Sequence, residues 1–225
     1  NFDTKGRIKD DYEIVGLISN FDAKILKKFN INQSDFKFEL LKNNYSFYVI
    51  KGNINEIDLA NSEFKIIREN KNLNVKANLV SKANLKNIQN TLDLFKINLL
   101  EGKVDKSQIS FDLKSALSFQ LEKYIKVKDL RVNGNGNIHF LNIKHKIDTS
   151  ELKKIFINYN DSFQITDTKI KFLLDNNVQE VELEGLVNLV NEYENFKSKV
   201  IVDKKKNNTT FDTEIDIKSS IIQLQ

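Results

Sequence analysis

Apolar and polar residues alternate along most of this chain, at a period of two instead of the ~3.6 of a helix. Phe36, Phe38 and Leu40 lead to Phe47 and Val49, then Ile57 and Leu59, then Leu73, Val75, Ala77 and Leu79. The same pattern returns at Ile109, Phe111 and Leu113, at Leu117, Phe119 and Leu121, and at Ile170, Phe172 and Leu174. Successive strand side chains point to opposite faces, so each run describes a strand with one apolar and one wetted side. So many runs predict an all-β chain with a long apolar surface and little to cover it.

Strands are predicted near 2–9, 12–19, 34–41, 45–51, 54–59, 62–69 and 72–81. More are predicted near 107–114, 117–123, 125–133, 136–145, 162–174, 178–190, 195–203 and 209–218. Proline is absent, so the turns fall to Asn, Asp and Gly, as at Lys42-Asn43-Asn44, Glu69-Asn70-Lys71-Asn72, Asp175-Asn176-Asn177 and Lys206-Asn207-Asn208. Asn and Asp tolerate left-handed conformations, and loops this tight join antiparallel neighbours, which gives a meander. Gly16, Gly52 and Gly185 interrupt strand patterns and predict bulges or bends. Two segments carry helical spacing: Asn84 to Lys96, through Leu85, Ile88, Leu92 and Phe95, and Ser150 to Phe156. Two helices are too few to cover one face of so many strands. Ile31 to Leu40 also echoes Val104 to Leu113, 73 residues on, which suggests growth by repetition along one axis.

The chemistry-bearing residues point away from catalysis. The formal charge of +4 is small and interspersed, and Arg7, Arg68 and Arg131 are the only arginines, so bidentate phosphate or base readout is not expected. Lys204 to Lys206 reads as a solvated hairpin tip. With no cysteine, and with His139 and His145 as the only histidines, the ligand set of a zinc site is missing. Asn133-Gly-Asn-Gly-Asn137 lacks the third glycine and the helix of a nucleotide-binding loop and is expected to be a turn or bulge. Asp10, Asp11, Glu180, Glu182 and Glu184 read as solvated rows. No catalytic residue, metal or cofactor is expected, and enzymatic activity is only the third reading. No uncharged apolar run approaches the ~20 residues of a transmembrane helix. The absence of methionine suggests a segment of a longer protein, with any signal or anchor outside it.

Two coverings of the apolar face stay open at this point: a second sheet, as in a closed sandwich, or none, as in an open groove. The extended meander and the shortage of long connections favour the groove. The phrases Val49-Ile-Lys-Gly-Asn-Ile-Asn-Glu-Ile-Asp-Leu59, Ile125-Lys-Val-Lys-Asp-Leu-Arg-Val-Asn-Gly-Asn-Gly-Asn-Ile138 and Val181-Glu-Leu-Glu-Gly-Leu-Val187 resemble the AsmA-like family, in its YhdP/TamB-like branch. That resemblance implies one elongated repeating β-groove over 1–225. It also implies non-enzymatic passage of phospholipid acyl chains between inner and outer membranes of a Gram-negative envelope. The implied location is the periplasm, with an inner-membrane anchor outside this segment. The groove residues expected on this reading are Phe36, Phe38, Leu40, Phe47, Val49, Leu73, Val75, Ile109, Phe111, Leu113, Phe119, Leu121, Ile170 and Phe172. The alternative is a structural or adhesive β-repeat of a surface protein with a closed core.

Overall fold

A computed structural model describes residues 4–5, 12–25, 29–69, 72–86, 104–122, 126–145, 162–188 and 192–218. The described chain is all-β: strands make up 86% of it and it contains no helix. The strands are β1 (Glu13–Ile25), β2 (Phe29–Leu41), β3 (Asn44–Ile54), β4 (Ile57–Asp58), β5 (Glu63–Glu69) and β6 (Asn72–Leu85). They continue as β7 (Val104–Glu122), β8 (Lys126–His145), β9 (Ser162–Leu174), β10 (Val178–Asn188), β11 (Tyr193–Asp203) and β12 (Asn208–Asp216). All belong to one 12-stranded antiparallel sheet that follows chain order, with β5 pairing both β3 and β6 beside the short β4. This is the meander that the alternation predicts.

Turn chemistry explains the connections. Lys42 and Asn43 close β2 onto β3, with Leu41 opposite Asn44. Asn55 and Glu56 both have positive φ, 49° and 71°, which is the signature of a two-residue type I′ hairpin whose twist matches the strands it joins. Between β11 and β12 the Asp203 carboxylate accepts the N–H groups of Lys205 and Lys206, and Asn207 takes the left-handed position.

Several expectations are corrected. The strands expected near 107–114 and 117–123 are parts of one strand, β7, which runs to Glu122, and those expected near 125–133 and 136–145 are parts of another, β8, which starts at Lys126. Asn133-Gly-Asn-Gly-Asn137 is therefore neither turn nor loop but the middle of β8. Gly136 is needed there because a Cβ would stand 2.1 Å from the Asp112 carbonyl oxygen on β7. Gly16 marks no bulge: its pairing with Phe38 is regular, and the Phe38 ring fills the space a Cβ would need. Asn84 and Leu85 end β6 as strand residues. Lys86 follows as a bend, and residues 4–5 of the strand expected near 2–9 form a turn; residues 87–96, the Ser150–Phe156 segment, the rest of 2–9 and the turn residues 70–71 lie outside the described residues.

The fold divides into two compact units. The first comprises Asn1–Ser81, Lys114–Gly134 and Leu173–Asn176; the second comprises Lys82–Leu113, Asn135–Phe172 and Asn177–Gln225. In the second unit Ile138, Ile165, Val187 and Phe196 form a buried core, with Ile109, Leu141, Ile170 and Leu183 packed around it. In the first unit only Val75 and Ala77 are buried apolar residues among those described.

Candidate functional site

Register gathers two rows of apolar residues of the first unit on one face. Gly16 stands opposite Phe38, Phe38 opposite Phe47, Phe47 opposite Phe64 and Phe64 opposite Ala77, which makes a row across β1, β2, β3, β5 and β6. Beside it runs Ile14, Leu40, Tyr45, Ile66 and Val75. On the opposite face Glu39, Ser46, Lys65 and Lys76 make one row. Sequence alternation becomes a two-sided sheet through this register alone.

A pair of interlocked irregularities shapes one end of that face. Between β2 and β3 the pairing jumps from Asn32–Asn53 to Asp35–Lys51, so Gln33 and Ser34 stand against the single residue Gly52. Gln33 is left-handed (φ 46°) and its N–H donates to Asp22 Oδ1 at 2.8 Å. Asn20, also left-handed (φ 52°), donates its N–H to Asp35 Oδ1 at 2.8 Å. Each carboxylate thus holds the bulge on its neighbour. The Asn20 N–H, and after it the nearby Lys51 ammonium at 3.2 Å, keeps the Asp35 carboxyl below its usual range. Gly52 (φ 144°) leaves room for Ser34, whose Oγ lies 2.1 Å from the point where a Cβ would sit.

These bulges turn Phe21 back onto the apolar face, where its ring meets Phe36 edge-on at 5.6 Å, and Phe36 meets Phe47 at 6.1 Å. The rings border a cavity of about 320 Å³ completed by Ile31, Val49, Ile54, Leu59, Phe64 and Ile66. Leu59 is set by backbone hydrogen bonds: its N–H donates to the Gly52 carbonyl, and the Asn61 N–H to that of Val49. Ser62, fully buried, clamps the same loop by exchanging hydrogen bonds with the Val80 backbone. The polar side chains at the cavity are already engaged. Ser34 Oγ donates to the Asn32 carbonyl at 3.1 Å, and Asn53 Oδ1 accepts from Asn32 Nδ2 at 3.5 Å. No charged side chain lines this cavity.

A larger depression, about 590 Å³, lies on the second unit among Lys169, Lys171, Glu182, Glu184, Lys197 and Lys199. Its β10 and β11 charges pair with one another, Lys197 with Glu184 and Lys199 with two carboxylates. Lys199 bonds Glu180 and Glu182, which hold the ammonium above the usual lysine range, and Lys199 in turn holds Glu182 below the usual carboxylate range. Charged side chains dominate its wall. His139 Nε2 lies 3.5 Å from Asp112 Oδ2 on the exposed side of β8, and the described residues hold no cluster of three or more metal-ligating side chains.

No family model, no curated protein and no solved structure matches this chain. Its function must therefore be read from its own geometry.

Of the residues expected in a groove, Phe36, Phe47 and Val49 line the cavity. Phe38, Leu40, Leu73 and Val75 share its face, while Phe119 and Leu121 lie half-buried elsewhere in the first unit. Ile109, Phe111, Leu113, Ile170 and Phe172 belong to the second unit, where Ile109 and Ile170 pack on its core. The expected set did not include Phe21, Ile31, Ile54, Leu59, Phe64 and Ile66. Phe64 and Ile66 carried a usable signal, because they alternate in phase within a predicted strand. Phe21 did not: the bulge at Asn20 reverses its side, and nothing in the local pattern announces it.

Proposed function

We propose that the apolar face of the first unit binds phospholipid acyl chains and that the protein takes part in their non-enzymatic transfer between membranes. The observation that carries this reading is the uncharged cavity bounded by Phe21, Phe36 and Phe47, on a face whose aromatic residues stay half-exposed. Its volume sits at the lower end of ligand pockets, which run from ~300 to 1,000 Å³. Burial of hydrocarbon there contributes ~0.8 kcal/mol per methylene, with no hydrogen bond to break, since the wall's polar groups are internally paired. Slow passage along such a wall needs no cofactor and no bond cleavage. Inner and outer membranes as donor and acceptor, and a periplasmic location, follow from the AsmA-like resemblance.

Lipid extraction and mass spectrometry of the purified protein test the reading. Wild type is expected to carry phospholipid or fatty acid, and Phe47→Asp to lose it while retaining the β-sheet circular dichroism spectrum. A protein that emerges empty and stays empty after incubation with phospholipid vesicles ends the proposal. The filled core around Ile165 and Val187 favours a second, purely structural role for the other unit.

A further inference from the structure

The outer side of the second unit carries charge in alternating rows. Glu182 and Glu184 on β10 stand opposite Lys199 and Lys197 on β11, which stand opposite Asp212 and Glu214 on β12. On the other flank, β9 contributes Lys169 and Lys171 to the same depression. The signs by strand therefore run plus, minus, plus, minus, and β12 closes the series as the end strand of the sheet.

The last row is unspent. The lysines of β11 direct their ammonium groups at β10: Lys197 to Glu184 at 3.4 Å, and Lys199 to Glu180 and Glu182. Among the described residues, Asp212 and Glu214 make no ion pair of their own. The other side of β12 is uncovered too. Phe211 is 73% exposed and Ile215 37%, although Ile215 pairs with the buried Phe196. Every residue of β12 is exposed. Among the described residues no strand pairs the outer edge of β12, and such an edge, with an uncovered phenyl ring and carboxylates outside any ion pair, can accept one more strand.

Charge selects which strand. A second copy joining through β12 would set Asp and Glu against Asp and Glu, and like charges directly opposite are destabilising. The opposite end strand, β1, offers Val15 and Leu17 on its outer side and a single lysine, Lys24. We propose that the free edge of β12 receives an extended strand of a partner polypeptide, with lysine at the positions beside Asp212 and Glu214 and apolar residues beside Phe211 and Ile215. That strand continues both the charge alternation and the apolar side.

The test uses the full chain and a dye-labelled, end-capped heptapeptide alternating valine with lysine, alongside its glutamate counterpart. Fluorescence anisotropy is expected to show binding of the lysine peptide and a preference of about tenfold over the glutamate peptide. The preference shrinks in high salt, because these charges are exposed. Asp212→Lys combined with Glu214→Lys inverts it, and the milder Asp212→Asn with Glu214→Gln abolishes it without placing like charges beside β11. Hydrogen exchange should show protection by the peptide confined to 208–216. Equal binding of both peptides, a preference untouched by the reversal, protection elsewhere, or self-association that the reversal promotes would each overturn the assignment.

Discussion

The two units apply the same local devices to opposite ends. Each holds a hydroxyl residue just after a left-handed one, facing a glycine: Gln33-Ser34 with Gly52 in the first, Asp167-Thr168 with Gly185 in the second. Each hydroxyl donates to the carbonyl two residues back, Ser34 to Asn32 and Thr168 to Thr166. In each, the glycine gives up its Cβ so that the hydroxyl can occupy the space, within 2.1 Å and 2.2 Å of where the Cβ would be. Yet the first unit leaves Phe36, Phe47 and Phe64 half-exposed around a cavity, whereas the second sinks Ile165 and Val187 to 1% exposure. The backbone solution is shared, and the difference lies in what covers the apolar side. An aromatic face left half-open suits a guest that comes and goes. A face filled by the chain itself suits permanence.

The strongest way to break this comparison is truncation of matched positions. Ile165→Ala is expected to cost about 3 kcal/mol, as in a close-packed interior, while Phe47→Ala costs about 1 kcal/mol despite removing more atoms. Urea denaturation of both variants reads the contrast. Equal losses would mean that the first unit's face is as closed as the second's.

The glycine locks come next. Gly52→Ala is expected to lower stability by about 2–3 kcal/mol, because the new methyl meets Ser34 and the positive φ strains any other residue. Gly185→Ala meets Thr168 in the same way but carries no such φ, so its loss is smaller. Adding Ser34→Gly to Gly52→Ala should return part of the stability, since the Ser34 Cβ at 2.6 Å is then gone. Thermal melts of the three variants separate crowding from backbone strain.

A smaller effect sharpens the electrostatic contrast. Asp35 in the first unit and Glu182 in the second both have folded pKa values below their ordinary ones. A depressed carboxylate contributes stability fully above its unfolded pKa, ~4, and loses it as pH falls through the folded value. Melting temperature should therefore fall with acid below pH ~4, and Asp35→Asn or Glu182→Gln should each flatten that fall. Salt distinguishes them. Glu182 owes its shift first to the half-exposed Lys199 ammonium, which ions screen, and Asp35 first to the Asn20 N–H, which they do not. A salt effect of the same size at both sites would contradict these causes.

Much of this was readable in advance where information is local. The phase of Phe36, Phe38, Phe47 and Val49 gave their common face, and Asn43, Asn176 and Asn207 gave the turns. The long β7 and β8 were not legible as single strands. The run Lys114-Ser115-Ala116 and the glycines at 134 and 136 look like interruptions in one strand and make sense only beside the next. Leu59 joins the cavity through the hydrogen bond of its N–H to the Gly52 carbonyl, which alternation does not encode. Nor does alternation say whether a face is filled. Ile165 and Phe36 sit in equally regular runs, and only packing tells them apart.

The central claim, that the first unit's half-open aromatic face is the part that holds acyl chains, is tested most directly by isotope-filtered nuclear Overhauser spectroscopy. Labelled protein would be saturated with an unlabelled fatty acid. The expected result is transfer from acyl methylenes to the rings of Phe36 and Phe47 and the methyls of Val49, with none to Ile165 or Val187. Contacts to Ile165 and Val187 instead, or none to the Phe36 and Phe47 rings at saturating ligand, would contradict it.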